Sequence, residues 1–406
     1  MSAGLRAAPG SAAELSELVA ECDAQGRAIH VVGGDTLAGM GFPPERADVT
    51  LETTGLTGAV EYEPADLTLA ARCGTAIQTL TALLATQKQF IPFDAPCPQY
   101  ATLGGTLAAG WIGPRRHLYG RPRDYVIGTT AVLADGTIAR AGGMVVKNVA
   151  GYDMSRLYVG SFGTLAILVQ ANLKTFAAPG RARTFLAALP ERTRGRAFAH
   201  LTALKIRPAA ALWIDGFHQA IDGEDRDDGR LLILLEGSDA LLERATRDLR
   251  AALGGAGVPE TRVLDAGARE SFQRAVDAYV AALGERSVTY RIFGFAEQAA
   301  ATADAVAEIA RGFDLRCERI VDVMNGDVVA RVSDLDMRAL GAKIERFDDL
   351  LHEAHPGAQV LASEHPHRAY LRVWGAAPAS IERMRALKLR FDPNRTLNPG
   401  RFVAGI

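Results

Sequence analysis

The densest run of glycines in the chain lies between residues 101 and 167, and it limits the possible folds more than any other feature. It opens with Leu103-Gly104-Gly105-Thr106 and closes with Gly160-Ser161-Phe162-Gly163. Glycine lowers the stability of regular helices and strands, so packing alone does not explain such a run. We therefore expect the backbone of this region to lie very close to another group, such as a bound ligand.

The length of the chain and the order of its strand-like and helix-like segments predict more than one domain. A chain of 406 residues usually forms two or more domains. The loop Ala177-Ala178-Pro179-Gly180 ends a first domain, predicted over 1–180. Strand-like and helix-like segments then alternate over 181–375, which predicts an α+β domain whose sheet carries helices on one face. Residues 376–406 form a turn-rich C-terminal segment that we expect to be docked.

Charge and composition exclude several classes of protein. The 45 basic and 47 acidic residues give a net charge of −2, which argues against a nucleic-acid surface. No apolar stretch reaches the roughly 20 residues that cross a bilayer, and the first residues lack the apolar core of a signal peptide. Four scattered cysteines suit reduced thiols and form no iron–sulfur or zinc motif. We expect a cytoplasmic protein that reaches a membrane only through partners.

Two glycine-rich loops, about 70 residues apart in the sequence, are candidates for binding a phosphate. Gly33-Gly34-Asp35-Thr36 follows a predicted strand, and its N–H groups either cradle a phosphate or form a plain turn. Thr102 precedes a short predicted helix whose first N–H groups we expect to be free for an anion. No GxGxxG follows the first strand, so two loops closing on a pyrophosphate favour a flavin over a nicotinamide. Asp135-Gly136 further predicts a hairpin with a type I′ turn.

Several segments in a fixed order resemble one family, the FAD-linked oxidases of the vanillyl-alcohol oxidase/p-cresol methylhydroxylase (PCMH) type. Within that family the chain is most similar to the FAD-binding subunits of bacterial glycolate oxidases (glycolate dehydrogenases). The segments that carry the resemblance are Gly33-Gly34-Asp35-Thr36, Thr102-Leu103-Gly104-Gly105, Gly113-Pro114-Arg115, Lys147-Asn148-Val149-Ala150-Gly151-Tyr152-Asp153, Gly160-Ser161-Phe162-Gly163-Thr164 and Leu397-Asn398-Pro399-Gly400-Arg401.

The resemblance implies an α+β fold: a two-lobed PCMH-type FAD-binding domain, an α+β cap domain with an antiparallel sheet, and a C-terminal tail that returns to the FAD domain. It implies that the first loop and the Gly104-Gly105 pair hold the pyrophosphate. Gly163, Thr164 and Ile167 would line the adenosine side, and Asn398 would lie near the flavin ring. Arg123 either points to the cofactor or forms a surface salt bridge. The full set of implied cofactor contacts is Val32, Gly33, Gly34, Asp35, Thr36, Pro98, Thr102, Leu103, Gly104, Gly105, Ala108, Gly110, Arg123, Gly163, Thr164, Ile167 and Asn398.

The resemblance also implies a cofactor, partners and a substrate. FAD is expected to be non-covalent, because residues 33–41 contain no histidine or cysteine for a covalent link. Related phosphate loops often carry a third glycine where this chain has Asp35. The implied partners are a sister FAD-linked catalytic subunit and an iron–sulfur subunit, with glycolate as the substrate of the complex and quinone as the final acceptor. The complex is implied to be cytoplasmic or peripheral on the inner face of the membrane.

The candidate catalytic residues are few, and they leave alternatives open. Hydroxyacid dehydrogenases of this family carry a metal-binding or substrate-binding histidine motif, whose trace here, 324–331, has no histidine. His365, His367 and Arg372 remain as candidates, and we expect no metal site. The first alternative is a self-sufficient D-2-hydroxyacid (D-lactate-type) dehydrogenase, with His365 or His367 as base and Arg372 or Arg331 on the carboxylate. The second is a flavin-carrying scaffold subunit without catalysis of its own.

Overall fold

A computed structural model describes residues 5–144, 151–217, 229–258, 261–264, 266–281, 286–364 and 366–406, apart from the side chain of His367. The helices in these residues are α1 (Ala12–Ala24), α2 (Ile77–Ala85), α3 (Leu103–Ala108), α4 (Arg116–Tyr119), α5 (Met154–Tyr158), α6 (Glu191–Thr202), α7 (Asp239–Gly255), α8 (Ala268–Asp277), α9 (Ala299–Arg311), α10 (Met337–Ala354) and α11 (Ile381–Phe391). The strands are β1 (Leu5–Ala7), β2 (Ile29–Val32), β3 (Val49–Glu52), β4 (Ala59–Glu63), β5 (Thr68–Arg72), β6 (Gln89–Phe90), β7 (Val126–Val132), β8 (Ile138–Gly142), β9 (Ile167–Lys174), β10 (Phe176–Ala177), β11 (Arg181–Ala188), β12 (Ala210–Asp215), β13 (Arg230–Gly237), β14 (Arg262–Leu264), β15 (Ser287–Ile292), β16 (Arg316–Asp322), β17 (Val328–Ser333) and β18 (Gln359–Ser363).

The chain divides into two compact units. Unit 1 comprises Met1–Ile112, Arg121–Ala178 and Ala377–Ile406, and unit 2 comprises Gly113–Gly120 and Pro179–Ala376. The glycine-rich region is therefore split: the segment Gly113–Gly120, which the sequence grouped with the first domain, packs within unit 2.

Unit 1 contains two main sheets. One is a parallel sheet in the order β1-β3-β2, which Leu397 extends by a parallel bridge to Ile29. The other is an antiparallel sheet in the order β4-β5-β9-β7-β8. A short pair, β6 with β10, completes the unit. The predicted α+β class with two lobes is confirmed.

A single hydrophobic core joins these two sheets. The apolar face of α1 presents Leu15, Val19 and Cys22, and all three side chains are fully buried. They belong to one cluster with residues of the parallel sheet, of the antiparallel sheet and of the C-terminal segment, including Leu51, Ile167 and Leu397. Ser11 starts the helix by accepting a hydrogen bond from the N–H of Glu14, as the sequence indicates.

Unit 2 is built on one antiparallel sheet in the order β14-β11-β13-β12-β16-β17-β15-β18. Every residue of β15 and β17 is buried. A sheet covered on one face would expose alternate side chains, so the sheet is covered on both faces at these strands. The expectation of an antiparallel sheet is confirmed.

Lys388 anchors the C-terminal segment inside unit 1. Its side chain is 7% exposed, and its Nζ donates to the carbonyl oxygens of Thr164 at 2.8 Å and Leu397 at 2.9 Å and to Asp392 Oδ2 at 2.5 Å. Asp392 in turn accepts from the N–H groups of Thr396 and Leu397. Every donor of the ammonium therefore has an acceptor, which a buried charge requires.

Replacing Lys388 with methionine is expected to lower the free energy of unfolding by about 3–5 kcal/mol, because the buried Asp392 carboxylate loses its partner. Urea unfolding of the wild type and the variant measures this. Arg390→Met is the matched control: Arg390 lies on the same helix and is exposed, so its replacement should change the free energy by less than about 0.5 kcal/mol. Equal effects of the two substitutions would contradict the anchoring role.

Candidate functional site

A cleft in unit 1 brings together segments that are far apart in the sequence. It holds about 810 Å³ of space, counting its open mouth. Its walls come from the end of β2 and the loop after it, from α3, from the segment that leads into β9, and from the C-terminal segment. The lining residues are 30–38, 53, 102, 104–106, 108–109, 162–163, 166–168, 398 and 401.

The loop after β2 presents a row of backbone donors to this cleft. In the described part of the chain, no protein acceptor receives the N–H groups of Gly33, Gly34, Asp35 or Thr36. Asp35 lies in the left-handed region with φ +59°, so the direction of the backbone changes within the row. Successive N–H groups in such a turn form a concave anion site. The loop is therefore suited to a phosphate or pyrophosphate.

Glycine is needed in this loop because the loop lies directly on another part of the chain. A Cβ on Gly34 would overlap the carbonyl oxygen of Tyr100, and a Cβ on Gly33 would overlap Oγ1 of Thr102. Gly104 is equally confined, since its Cβ would lie 2.9 Å from Cβ of Cys73. Much of the glycine content thus serves backbone-to-backbone contact, and it brings the first loop next to α3.

The first N–H groups of α3 are not free, and the prediction that they are anion donors is wrong. Leu103 N–H donates to the Thr75 carbonyl at 2.9 Å, and Gly104 N–H donates to the Cys73 carbonyl at 2.7 Å. Gly105 N–H donates to Oγ1 of Thr102, the N-cap residue, at 3.1 Å. The helix start is satisfied within the protein, so the unpaired donors of the cleft lie in the 33–36 loop.

One side chain joins the two loops of the cleft. Asn398 Oδ1 accepts from the N–H of Val31 at 2.9 Å, and its Nδ2 donates to the Phe162 carbonyl at 2.8 Å. The Phe162 N–H donates to the Ala108 carbonyl at the end of α3. Gly163 follows with φ +66°, and a Cβ there would lie 2.8 Å from the Asn398 amide nitrogen. Asn398 is 3% exposed, so it fixes β2 and the 160–163 loop together.

The charged groups of the cleft wall interact with each other. Arg401 donates through Nη1 to Nε2 of His30 at 2.9 Å and through Nη2 to the Met40 carbonyl at 3.0 Å. A guanidinium only donates, so His30 Nε2 must be unprotonated. Burial, with the Arg401 charge as a second cause, lowers the pKa of His30 to about 4. Partial removal from water raises the pKa of Asp35, and the Arg401 charge opposes this.

The structure brings most of the predicted cofactor contacts to this cleft. Those that line it are Val32, Gly33, Gly34, Asp35, Thr36, Thr102, Gly104, Gly105, Ala108, Gly163, Ile167 and Asn398. Those outside its lining are Pro98, Leu103, Gly110, Arg123 and Thr164. Thr164 is buried and bonds through Oγ1 to the Ser161 carbonyl, and Arg123 is exposed.

Several lining residues were not predicted as contacts, and two of them, His30 and Arg401, carry titratable side chains. Arg401 belongs to the C-terminal motif that carries the resemblance, so its place four residues after Leu397 was a usable signal. His30 is the second residue of β2 and gave no signal of its own, because its partner lies 371 positions away.

The candidate arginines, Arg372 and Arg331, do not line this cleft. Arg372 is half-exposed and pairs with Asp349 at 2.7 Å. Arg331 is buried in unit 2 and pairs with Glu318 at 2.5 Å. His365 and the side chain of His367 lie outside the described residues.

The trace of the histidine motif in unit 2 forms a closed network of charges. Asp327 binds Arg116 at 2.8 Å and Arg291 at 2.6 Å, and Asn325 Nδ2 donates to Asp322 at 2.7 Å. Burial raises the pKa of Asp322 to about 7. The network holds the Gly113–Gly120 segment, because Arg116 belongs to that segment and Asn325 also donates to the Pro114 carbonyl.

No three or more histidine, cysteine, aspartate or glutamate side chains of the described part of the chain are grouped so that they could bind a metal ion. Among the described helices, none has the length and apolar character needed to cross a membrane.

The pH dependence of stability is expected to reveal the His30–Arg401 contact. The folded pKa of about 4 is below the unfolded value of 6.5, so the unfolded chain binds the proton first as pH falls. The stability contributed by neutral His30 is present above pH 6.5 and is lost as pH falls towards 4.

His30→Gln keeps an acceptor for Arg401 and removes this titration. Between pH 7 and pH 4 the wild type should lose about 1–2 kcal/mol more stability than the variant. Urea unfolding over this range measures the difference, with His200→Gln in α6 as the control. Parallel curves for wild type and His30→Gln would contradict the depressed pKa.

Comparisons with known proteins agree with this geometry. The family described as FAD binding domain matches residues 4–153, and the family described as FAD linked oxidases, C-terminal domain, matches residues 367–402. Glycolate oxidase subunit GlcE of Escherichia coli is 35% identical over 226 residues, which are 55% of this chain and 59% of the relative. Glycolate oxidase subunit GlcD of Bacillus subtilis is 26% identical over 416 residues, 98% of this chain and 88% of the relative.

Other relatives match shorter parts of their own length. D-lactate dehydrogenase of Archaeoglobus fulgidus is 32% identical over 169 residues, 41% of this chain and 38% of the relative. Among solved structures, p-cresol methylhydroxylase superposes with a TM-score of 0.73 at 14% identity, covering 98% of this chain and 88% of that one. Alkyldihydroxyacetonephosphate synthase gives 0.71 at 16% identity, covering 98% and 77%. At these identities the superpositions establish the fold, which is of the PCMH type.

Proposed function

We propose that this chain, which matches the FAD binding domain and the FAD linked oxidase C-terminal domain families, is the FAD-binding subunit of a multi-subunit glycolate (2-hydroxyacid) dehydrogenase. The observation that carries the proposal is the unit 1 cleft, where unpaired N–H groups of residues 33–36 face the 162–168 segment. Similarity to glycolate oxidase subunits over most of the chain supports the choice of substrate class.

The residues of the cleft fit the chemical groups of FAD. The 33–36 loop would bind the pyrophosphate through backbone N–H groups, and the small residues Gly163 and Ala166 would leave room for the rest of the dinucleotide. When bound, FAD would supply a group that can take up two electrons together and release them one at a time. The chain contributes an anion site, a cleft that removes the cofactor from water, and the Asn398 bridge that holds both walls.

Partners are part of the proposal, since electrons must leave the flavin. The four cysteines are far apart in sequence, and Cys22 and Cys73 are buried in the core, so an iron–sulfur partner would supply its own ligands. A sister FAD-linked subunit would oxidise glycolate, and the iron–sulfur subunit would carry electrons to quinone. The complex would then lie on the cytoplasmic face of the membrane, attached through its partners.

A self-sufficient D-2-hydroxyacid dehydrogenase is the second candidate, and similarity to D-lactate dehydrogenase supports it. It needs an arginine for the substrate carboxylate. Arg331 is already paired with buried Glu318, and Arg372 is paired with Asp349. These pairs favour the subunit proposal. A flavin-carrying scaffold subunit would bind FAD equally well and is separated by the experiment below.

Reduction of the bound flavin by substrate tests these alternatives. The purified chain is loaded with FAD under anaerobic conditions. It should keep the visible absorbance of oxidised flavin when glycolate or D-lactate is added, and lose that absorbance when dithionite is added. Adding the sister and iron–sulfur subunits should then allow glycolate to bleach the flavin. Bleaching by either acid without partners would favour the self-sufficient enzyme, and bleaching of the sister subunit's flavin alone in the full complex would leave the scaffold role.

Substitution of Gly34 tests whether the cleft holds the cofactor. Gly34→Ala places a Cβ on the Tyr100 carbonyl, so the loop must move and at least about tenfold weaker FAD binding is expected. Gly195→Ala in α6 is the control, because its Cβ would meet nothing within 4 Å. The amount of flavin released by acid precipitation measures the fraction of the protein that holds FAD. Wild-type FAD should appear in the supernatant, as non-covalent binding requires, and yellow protein in the pellet would overturn that part of the proposal.

A further inference from the structure

The side chains that line the cleft carry charges of both signs. Among the described lining residues, the titratable side chains are His30, Asp35 and Arg401. Asp35 lies inside the row of backbone donors, where its carboxylate repels any phosphate that the row attracts. The first N–H groups of α3 are already used within the protein. A further source of positive charge must therefore offset Asp35.

Arg401 has the position and the rigidity to supply that charge. It lines the same cleft, and two of its nitrogens are held by His30 and by the Met40 carbonyl. His30 is neutral in this contact, so it fixes the guanidinium without adding a second charge. Phe42 N–H donates to the Arg401 carbonyl, and Arg401 N–H donates to the Asn398 carbonyl, so the backbone is fixed as well.

We propose that Arg401 is the fixed counter-charge that lets a loop containing Asp35 bind the pyrophosphate of FAD. This rests on the proposed function, because it assumes that FAD occupies the cleft. Two of its five N–H groups hold the guanidinium against His30 and Met40, and its positive charge acts across the cleft. Asp35 and Arg401 then set the affinity for the diphosphate in opposite directions.

Removing the charge of Arg401 and removing the charge of Asp35 should shift the Kd for FAD in opposite directions. General damage to the fold would weaken binding in both variants, so it would not give this result. Arg401→Gln removes the positive charge and should raise the Kd for FAD about tenfold, whereas Asp35→Asn removes the negative charge and should lower it a few-fold. Arg401→Lys keeps the charge and should retain most of the affinity. Arg401 is partly buried, so the effect of Arg401→Gln should shrink only in part at high salt. Arg390→Gln on α11 is the matched control and should leave the Kd unchanged.

The experiment is a fluorescence titration of the FAD-free chain with FAD, and a calorimetric titration with ADP and with adenosine. ADP carries the diphosphate and adenosine does not, so Arg401→Gln should weaken ADP binding and leave adenosine binding unchanged. Urea unfolding monitors the fold. If Arg401→Gln unfolds, the charge-retaining Arg401→Lys and the opposite response of Asp35→Asn decide the matter.

The results of these titrations distinguish a failure of the proposed function from a failure of the role of Arg401. A wild-type chain that binds neither FAD nor ADP overturns the proposed function together with this one. A wild-type chain that binds FAD, with an unchanged Kd in Arg401→Gln, overturns the role of Arg401 alone. The same holds if Asp35→Asn and Arg401→Gln shift the Kd in the same direction, or if ADP and adenosine respond equally.

Discussion

The cleft of unit 1 depends on one buried amide. Asn398 uses its oxygen to accept from Val31 and its nitrogen to donate to Phe162, and it connects segments that are 367 and 236 positions away in the sequence. An aspartate of the same size could accept the first hydrogen bond but not donate the second when ionised. Because β2 leads directly into the 33–36 loop, the position of that loop is set by a residue in the last ten of the chain.

The amide in turn depends on how the C-terminal segment is held. Lys388 binds the Thr164 and Leu397 carbonyls, so the same ammonium group contacts the residue just after Gly163 and the residue just before Asn398. A buried cation tolerates little movement of its acceptors, because each lost hydrogen bond leaves charge without solvation. The geometry of the cleft is thus imposed by contacts between distant parts of the chain, and no single loop could form it alone.

Much of the fold could be predicted from the sequence, and the failures have physical causes. Strand alternation and turn residues predict most elements of unit 2, and glycine content locates the cleft. A glycine in the sequence indicates that another group lies close to its backbone, but it does not indicate which group. For Gly34 that group is the backbone of Tyr100. The Asp135-Gly136 pair does predict the hairpin, yet Asp135 does not have positive φ, so the turn is not type I′. His30 was missed because only the folded chain brings it to Arg401, 371 positions away.

In unit 2, the 324–331 segment and its neighbours make side-chain contacts that the sequence could not reveal. The absence of histidines is evident from the sequence, and the structure shows the contacts made in this region: Asp327 pairs with Arg116 and Arg291, and Arg116 also lies near Asp322. Burial raises the pKa of Asp322 to about 7, and the nearby Arg116 guanidinium opposes that rise. These side chains are committed to holding the Gly113–Gly120 segment. A substrate acid would have to displace them, which favours oxidation of the acid on another chain.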